Sequence, residues 1–266
     1  MDWTAEWSDS TVPGSRHGYE LNSFANLQWL LAVESAIITE RALGNEFKAR
    51  YWEEKAAKLK KAIVAKFWNP KRKLFADTAE MKTYSEHSQA MALIAEVLES
   101  ADAEECFRHL VEDEDLAHCT VYFDYYLFEA YFKRGRADLF LKRLDLWRDY
   151  VKKGLTTTQE APDSGLEEHK ESRSDCHAWG AHPIYFMQTG LAGIRSAAPW
   201  FERVTVAPQP GSLKTIKCRH PHPLGWIEVE LKFDGDKATG VVRTPVAGIF
   251  EYGGRCVPLE VGENKL

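Results

Sequence analysis

The sequence predicts a mainly α-helical protein that ends in a small antiparallel β-sandwich. Three observations lead to this prediction. Up to about Arg195, apolar residues recur every three or four positions, which is the period of helices. After it, short segments alternate between apolar and polar residues, which is the period of strands. Within the first part, helices with a charged face alternate with helices that are apolar on most sides. We therefore expect a helical domain over residues 1–195 and a β-domain over residues 196–266.

The predicted helices are delimited by capping signals. Gly44 follows the first helix as a C-cap, Asn69-Pro70 stops the second, and Ser85 is a plausible N-cap for the third. The pattern predicts helices over residues 21–43, 46–68, 84–98, 103–111, 121–132, 137–151 and 175–193.

The helices differ in how much of their surface is apolar. The segments 46–68, 103–111 and 137–151 carry a charged face, whereas 84–98, 121–132 and 175–193 are apolar nearly all round. A charged face is typical of an outer helix, and an apolar circumference is typical of a buried one. Alternating inner and outer helices predict part of an (α/α) barrel. Its inner helices run in one direction, so that their N-termini gather at one mouth.

Short alternating segments follow the helices. The clearest is WIEVELKF at 226–233, and Asp234-Gly235-Asp236 after it has the composition of a hairpin turn. Pro208-Gln209-Pro210-Gly211 indicates another turn. The predicted strands are 201–206, 213–218, 226–233, 239–243 and 248–252.

Composition excludes several classes of protein. The 266 residues include 34 Lys and Arg against 40 Asp and Glu, a formal net charge of −6. This balance argues against a nucleic-acid partner, which needs a basic surface. The 5 Cys are scattered and form no CxxC pair, which indicates free thiols in a reducing compartment. The sequence shows no leader peptide and no run of about 18 apolar residues. We expect no membrane partner and no cofactor, and we favour the cytoplasm.

Polar and aromatic residues fall at the expected mouth. They include Asp2-Trp3, the Ser85-Glu86-His87 segment, and His177 and Trp179 at the start of the last inner helix, with Glu160 in the Thr-rich loop that precedes it. Carboxylates, imidazoles and flat aromatic side chains suit a sugar, because aromatic faces stack on the C–H surfaces of a pyranose and polar groups bind its hydroxyls. This collection predicts carbohydrate chemistry.

Four segments together resemble the bacterial inverting α-L-rhamnosidases. They are Asp2-Trp3, TTTQE at 156–160, RSDCHAWGAHP at 173–183 and APWFERVTVAPQPGSLK at 198–214. The resemblance covers nearly the whole chain. It implies a six-hairpin (α/α) barrel, here a partial one, followed by a C-terminal β-sandwich that begins near VTVAPQPG. It also implies hydrolysis of terminal α-L-rhamnosides with inversion.

The resemblance implies roles for individual residues. Glu160 matches the general base of that family, His177 a sugar-binding histidine, and Asp2 and Trp3 a pair that lines the substrate. From the residues alone, simpler interpretations remain open. Glu160 could be a solvated loop carboxylate, and His177 a helix residue hydrogen-bonded to the backbone.

Other candidates have equally simple alternatives. Glu86 is either a sugar ligand or a first-turn carboxylate that the helix dipole favours, and Trp179 is either a sugar platform or a core side chain. His220-Pro221-His222 looks like a metal-binding tract but lacks further ligands at suitable spacing, so we predict a loop and no metal site.

The sequence also departs from the resemblance. In that family the general acid lies in an acidic segment upstream of the Asp-Trp pair, and this sequence begins at that pair. Glu167 and Glu168 are adjacent in one acidic loop, which gives no reason to place either across the sugar ring from Glu160. Periodicity predicts about seven helices, and a closed barrel needs about twelve. We therefore expect the C-terminal part of such an enzyme, without its general acid.

Three hypotheses follow from this expectation. The chain is a rhamnosidase that is active once the remaining part is supplied, by an upstream-encoded barrel half or a second copy. It is alternatively a non-catalytic carbohydrate-binding remnant. The third possibility is a truncated gene product without a function of its own, whose open arc of helices would expose a large apolar surface.

Overall fold

The computed structural model describes Asp2, Thr4, Trp7, residues 21–161 and residues 174–266. Predicted site residue Trp3, together with Glu167 and Glu168, lies outside the described residues. The chain divides into two compact units, an N-terminal unit Met1–Ala130 and a C-terminal unit Tyr131–Leu266. The predicted division at residues 195/196 stays a prediction.

Helices dominate the N-terminal unit. They are α1 (Ser23–Ala42), α2 (Glu46–Phe67), α3 (Glu86–Ile94), α4 (Ser100–Glu112) and α5 (Asp124–Lys133), the last of which continues into the C-terminal unit. A short hairpin of two strands, β1 (Trp68–Asn69) and β2 (Leu74–Phe75), connects α2 to the segment before α3.

Capping side chains set the start of two of these helices. The Asn22 side chain accepts a hydrogen bond from the Ala25 amide at 3.1 Å and begins α1. Ser85, the N-cap predicted from the sequence, accepts one from the Ser88 amide at 3.4 Å and begins α3. Each cap satisfies an amide that has no partner within its helix. The first turn of α3 is therefore placed by local chemistry.

The core of the N-terminal unit lies between α1, α2 and α3. Its fully buried side chains include Phe24, Leu27 and Leu30 of α1, Ile63 of α2 and Met91 of α3. All eight residues Glu86–Leu93 of α3 are buried. The sequence prediction that residues 84–98 form an inner helix is thus confirmed, although the helix ends earlier, at Ile94.

The C-terminal unit begins with short helices and continues as strands. The helices are α6 (Ala137–Arg143), α7 (Asp145–Lys152), a 3₁₀ helix (Ala178–Ala181), α8 (Pro183–Phe186), a π-helical turn (Met187–Leu191) and a 3₁₀ turn (Pro199–Phe201). The strands are β3 (Ile194–Ser196), β4 (Val204–Val206), β5 (Thr215–His222), β6 (Gly225–Asp234), β7 (Lys237–Thr244), β8 (Gly248–Tyr252), β9 (Arg255–Leu259) and β10 (Gly262–Lys265).

The strands form two four-stranded sheets with the orders β10-β7-β6-β5 and β3-β4-β8-β9. All pairs are antiparallel except β4 with β8, which is parallel. The sheets contact each other where Phe233 of β6 meets Tyr252 of β8, with ring centroids 5.1 Å apart. The predicted fold class, helices of a partial barrel followed by a small β-sandwich, is confirmed.

Several element predictions were wrong in detail. The single helix expected over residues 175–193 is a succession of 3₁₀, α and π turns, in which Pro183 occupies the first position of α8. The helix expected over 137–151 breaks at Leu144 into α6 and α7. His220-Pro221-His222 is not a loop but the end of β5. Strands β3, β9 and β10 were not predicted.

Candidate active site

Glu160 ends a Thr-rich segment that is held against a second segment by backbone hydrogen bonds. The Glu160 amide donates to the Ser174 carbonyl at 2.9 Å, and the His177 amide donates to the Thr158 carbonyl at 2.8 Å. These two bonds run in opposite directions between residues 158–160 and 174–177. They bring together two stretches that are separated in the sequence by a segment rich in acidic residues.

Side chains add further links between the same segments. The Thr158 hydroxyl donates to the His177 carbonyl at 2.8 Å, and the buried Gln159 amide donates to the Asp175 carboxylate at 2.9 Å. The Thr157 hydroxyl donates to the Asp175 carbonyl. The threonines that made this segment conspicuous in the sequence thus orient the backbone that carries Glu160.

The Glu160 carboxylate lies beside an imidazole. Its Oε2 atom is 3.6 Å from Nδ1 of His177. The Glu160 side chain is 9% exposed and that of His177 is 30% exposed, so both groups sit near a surface without being fully solvated. A protonated His177 would form an ion pair with Glu160. A neutral His177 could instead form a hydrogen bond to the same bound molecule as Glu160.

Trp179 completes this group of side chains. Its ring lies against the His177 ring, with centroids 4.0 Å apart and planes inclined by 46°. It belongs to the 3₁₀ helix Ala178–Ala181, whose Gly180 carbonyl accepts a hydrogen bond from the Trp147 indole at 2.7 Å. The structure therefore brings three predicted site residues together: Glu160, His177 and Trp179.

Asp2 occupies a different, buried environment in the N-terminal unit. Its Oδ2 atom lies 2.6 Å from Nε2 of His87 and accepts a hydrogen bond from the Thr120 amide at 2.9 Å. The Thr120 hydroxyl donates to Oδ1. The side chains of Asp2 and His87 are completely buried. Asp2 therefore joins the first turn of α3 to the segment before α5.

The pKa of Asp2 reflects this environment. Burial by itself would raise the pKa, but the hydrogen bond and charge of His87 and the two hydrogen bonds from Thr120 outweigh it, so the pKa of Asp2 is lowered. The carboxylate is consequently stabilised in its ionised form by the folded protein.

Glu86 is also engaged within the protein. Its Oε2 atom accepts a hydrogen bond from the Cys119 amide at 2.7 Å, and Oε1 lies 3.3 Å from Nδ1 of His118. The Glu86 side chain is 8% exposed, whereas His118 is 57% exposed. Glu86 thus orients an exposed histidine that the sequence analysis did not identify. Only spatial proximity shows this, since His118 is 32 positions away along the sequence.

The two histidines of β5 bind protein groups. Nδ1 of His220 lies 2.7 Å from the Gln188 side-chain oxygen, and Nε2 of His222 lies 3.0 Å from the Phe201 carbonyl. Nδ1 of His222 accepts a hydrogen bond from the Leu224 amide at 3.1 Å.

Among the described residues, no cluster of three His, Cys, Asp or Glu side chains is arranged to hold a metal ion. Nor does any helix in the described part combine the length and apolarity needed to cross a bilayer.

A family model described as the bacterial alpha-L-rhamnosidase 6 hairpin glycosidase domain matches residues 2–191. The chain therefore belongs to this glycosidase family. A comparison with curated proteins gives no match.

Solved structures with the same fold include three rhamnosidases. The GH78 family rhamnosidase of Bacillus sp. GL1 has a TM-score of 0.75 at 23% identity, over 90% of this chain and 26% of its own. The α-L-rhamnosidase of Aspergillus terreus has a TM-score of 0.78 at 18% identity, over 100% of this chain and 33% of its own. The α-L-rhamnosidase of Streptomyces avermitilis, complexed with L-rhamnose, has a TM-score of 0.72 at 15% identity, over 98% of this chain and 29% of its own.

At these identities the likeness shows the fold alone. The chain spans 26% to 33% of the length of these three structures.

Proposed function

We propose that this chain carries the general base and part of the sugar-binding surface of an inverting α-L-rhamnosidase. The observation that supports the proposal most directly is the position of Glu160. A nearly buried carboxylate, on a segment held by hydrogen bonds, lies beside His177, whose ring contacts the Trp179 ring. A general base must be held within hydrogen-bond reach of the proton that it removes, and a side chain on a fixed segment meets that requirement.

In the proposed reaction, Glu160 removes a proton from a water molecule, whose oxygen attacks the anomeric carbon of the rhamnose. The bond from that carbon to the leaving oxygen breaks on the opposite face of the ring, and a protonated carboxylic acid gives its proton to the leaving oxygen. The two carboxyl groups of such enzymes are about 6.5–9.5 Å apart, which leaves room for the water. We assign no residue of this chain as the acid.

His177 and Trp179 are the proposed sugar contacts next to the base. The indole offers a flat apolar face to the pyranose, and the imidazole offers a hydrogen-bonding nitrogen to a hydroxyl. Asp2, Trp3 and Glu86 remain predicted sugar ligands. The carboxylates of Asp2 and Glu86 already accept hydrogen bonds from the protein, so a sugar hydroxyl would have to share them.

The test is the release of the leaving group from an aryl α-L-rhamnoside by the purified chain, by Glu160→Gln and by the control Glu202→Gln. Glu202 is an exposed carboxylate in the same unit and lies outside the proposed site. We expect that any turnover is lost in Glu160→Gln and retained in Glu202→Gln. Equal turnover by the wild-type chain and Glu160→Gln would overturn the assignment of the base.

A chain without turnover requires a second measurement. L-rhamnose binding is then followed by nuclear magnetic resonance in the wild-type chain, in Glu160→Gln and in His177→Ala. Binding that survives Glu160→Gln and weakens in His177→Ala would support the sugar-binding part of the proposal and favour the non-catalytic alternative. If His177→Ala binds as well as the wild type, the sugar-binding assignment is overturned.

A further inference from the structure

Helix α1 exposes a side that carries no charged residue. Between residues 21 and 33 there is no Asp, Glu, Lys or Arg. Exposed positions recur at intervals of three or four residues along the helix and its two flanking residues, so they share one side. We call this side the α1 face, and it consists of Leu21, Ala25, Trp29, Ala32, Ser35, Thr39 and Leu43. Its large side chains are well exposed, with Leu21 at 58%, Trp29 at 60% and Leu43 at 69%.

The opposite side of α1 packs into the core of the N-terminal unit. It is lined by Phe24, Leu27, Leu30, Val33 and Ile37, all of which are buried. The helix is therefore apolar on both sides, and such a helix is normally covered all round. Helix α2 differs, because its exposed side carries lysines at positions 48, 55 and 58.

The polar groups of the α1 face are used within the helix. The Ser35 hydroxyl donates a hydrogen bond to the Leu31 carbonyl, and the Thr39 hydroxyl donates one to the Ser35 carbonyl, each at 2.9 Å. Both hydroxyls can therefore be covered without leaving a buried donor unpaired. Arg41, the exposed charged residue of α1, forms an ion pair with Glu53 of α2. Covering the α1 face consequently carries a small desolvation cost.

The shape of the α1 face is complementary to itself. Trp29 lies one turn from Ala25 on one side and one turn from Ala32 on the other, so a large ring stands between two shallow positions. Helices pack by placing the ridges of one into the grooves of the other. When two copies of α1 cross in antiparallel orientation, the ring of each copy can lie over the alanines of the other.

Composition and area both favour a second copy of this chain as the occupant. A matching surface has to be apolar and uncharged, and among the described helices of eight or more residues only α1 exposes aliphatic and aromatic side chains without an unpaired charge. Helix α1 has 20 residues and is thus about 30 Å long. Covering one side of it in each copy buries roughly 1,000–1,200 Å² in total, at the lower end of specific interfaces. An interface of this size is consistent with a Kd in the micromolar range.

We infer that two copies of this chain associate through the α1 face, with α1 against α1 about a two-fold axis and Trp29 at the centre of the contact. Large aromatic side chains at the centre of an interface contribute most of its binding energy. The inference goes beyond the proposed function. It requires neither Glu160 nor a bound sugar, so either can fail without the other.

The experiment is analytical ultracentrifugation of the full chain from low to high micromolar concentration. The wild-type chain should form a dimer. In Trp29→Lys the dimer Kd should rise by about 100-fold or more, because each dimer loses two central rings and gains two adjacent like charges. Ala32→Glu should weaken the dimer as well. Both positions are exposed, so the two variants should keep the fold, and far-UV circular dichroism checks this.

The matched control is Trp200→Lys, the same exchange at a tryptophan of the C-terminal unit that is 90% exposed. Its dimer Kd should equal that of the wild type, because the inferred contact depends on α1 and not on exposed aromatic surface in general. If Trp200→Lys and Trp29→Lys weakened the dimer equally, association would be non-specific and the inference would be wrong.

A charge exchange tests whether α1 meets α1. Trp29→Lys and Trp29→Glu should each be monomeric, and an equal mixture should form a heterodimer, since opposite charges at position 29 would then face each other across the axis. Native mass spectrometry separates the species by mass. A mixture that stays monomeric would contradict the pairing of α1 with α1. A wild-type chain that is monomeric at high micromolar concentration would leave this face to a different polypeptide and overturn the inference, as would a dimer that neither α1 variant weakens.

Discussion

Nε2 of His87 lies 2.6 Å from the carboxylate of Asp2, a contact between two completely buried side chains that are 85 positions apart in the sequence. It links the beginning of the chain to the first turn of α3, while Thr120 binds the same carboxylate from the segment before α5. Three distant parts of the N-terminal unit therefore meet at one ionised group.

The first prediction concerns the stability of that unit. Removing the Asp2 carboxylate leaves the Thr120 amide and the His87 ring nitrogen buried without this hydrogen-bond partner, which typically costs about 1–3 kcal/mol for each group. We expect Asp2→Ala to lower the free energy of unfolding by about 3 kcal/mol in urea denaturation. The control Glu54→Ala removes an exposed carboxylate from α2 and should change it by less than about 0.5 kcal/mol. Equal stability of Asp2→Ala and the wild type would show that the link contributes nothing.

The second prediction concerns the pH dependence of stability. The pKa of Asp2 is lowered from its ordinary value of 3.8, and that of Asp77 is raised by burial from the same value. The folded state therefore releases the Asp2 proton more readily than the unfolded state, and holds the Asp77 proton more firmly. The stability due to ionised Asp2 is present above pH 3.8 and is lost as pH falls through its lowered pKa. The stability due to protonated Asp77 is present below pH 3.8 and is lost as pH rises through its raised pKa.

Asparagine variants separate these two contributions. As the pH falls, the free energy of unfolding of the wild type should lose its advantage over that of Asp2→Asn. Over the same pH range, the free energy of unfolding of the wild type should rise relative to that of Asp77→Asn. Urea denaturation between pH 3 and pH 7 measures both. Parallel pH profiles for the two variants would contradict the opposite shifts in pKa.

The third prediction concerns the contact of Gly180 with the Glu160 segment. A Cβ atom at position 180 would lie 2.9 Å from Cβ of Thr158 and 3.0 Å from the Gln159 carbonyl oxygen, which is closer than packed atoms allow. We expect Gly180→Ala to lower the free energy of unfolding by about 1–3 kcal/mol through overpacking. If the aryl rhamnoside is hydrolysed, kcat should fall as well. The exposed neighbour Ala181 supplies the control, since Ala181→Ser should alter neither quantity.

The fourth prediction concerns Trp200, which is 90% exposed and has a φ of +59°. A bulky side chain in the left-handed region is strained by roughly 1–2 kcal/mol, and glycine is not. Glycine also gains more entropy in the unfolded chain, which offsets part of this difference. We expect Trp200→Gly to be more stable than Trp200→Ala by about 0.5–1 kcal/mol in thermal or urea unfolding. A more stable alanine variant would show that the backbone here is unstrained.

Local patterns were good predictors of the helices and of the strand-rich end. Ser85 caps α3 as its position suggested, and the alternation in WIEVELKF corresponds to buried Ile227, Val229, Leu231 and Phe233 along β6. Such features depend on neighbouring residues, so they can be inferred from a single sequence. The apolar segment 175–193 was misassigned because a continuous apolar run does not distinguish a regular helix from a chain of 3₁₀, α and π turns.

The amino-acid sequence by itself determined the order of the elements, the class of fold and the residue types available for sugar chemistry. Periodicity, caps and turn residues act over a few positions and are legible in the chain. Only the tertiary structure decided which polar groups meet. It placed His177 beside Glu160 and buried Asp2 against His87. These contacts depend on burial and on distances between residues far apart in the chain, which no local pattern encodes.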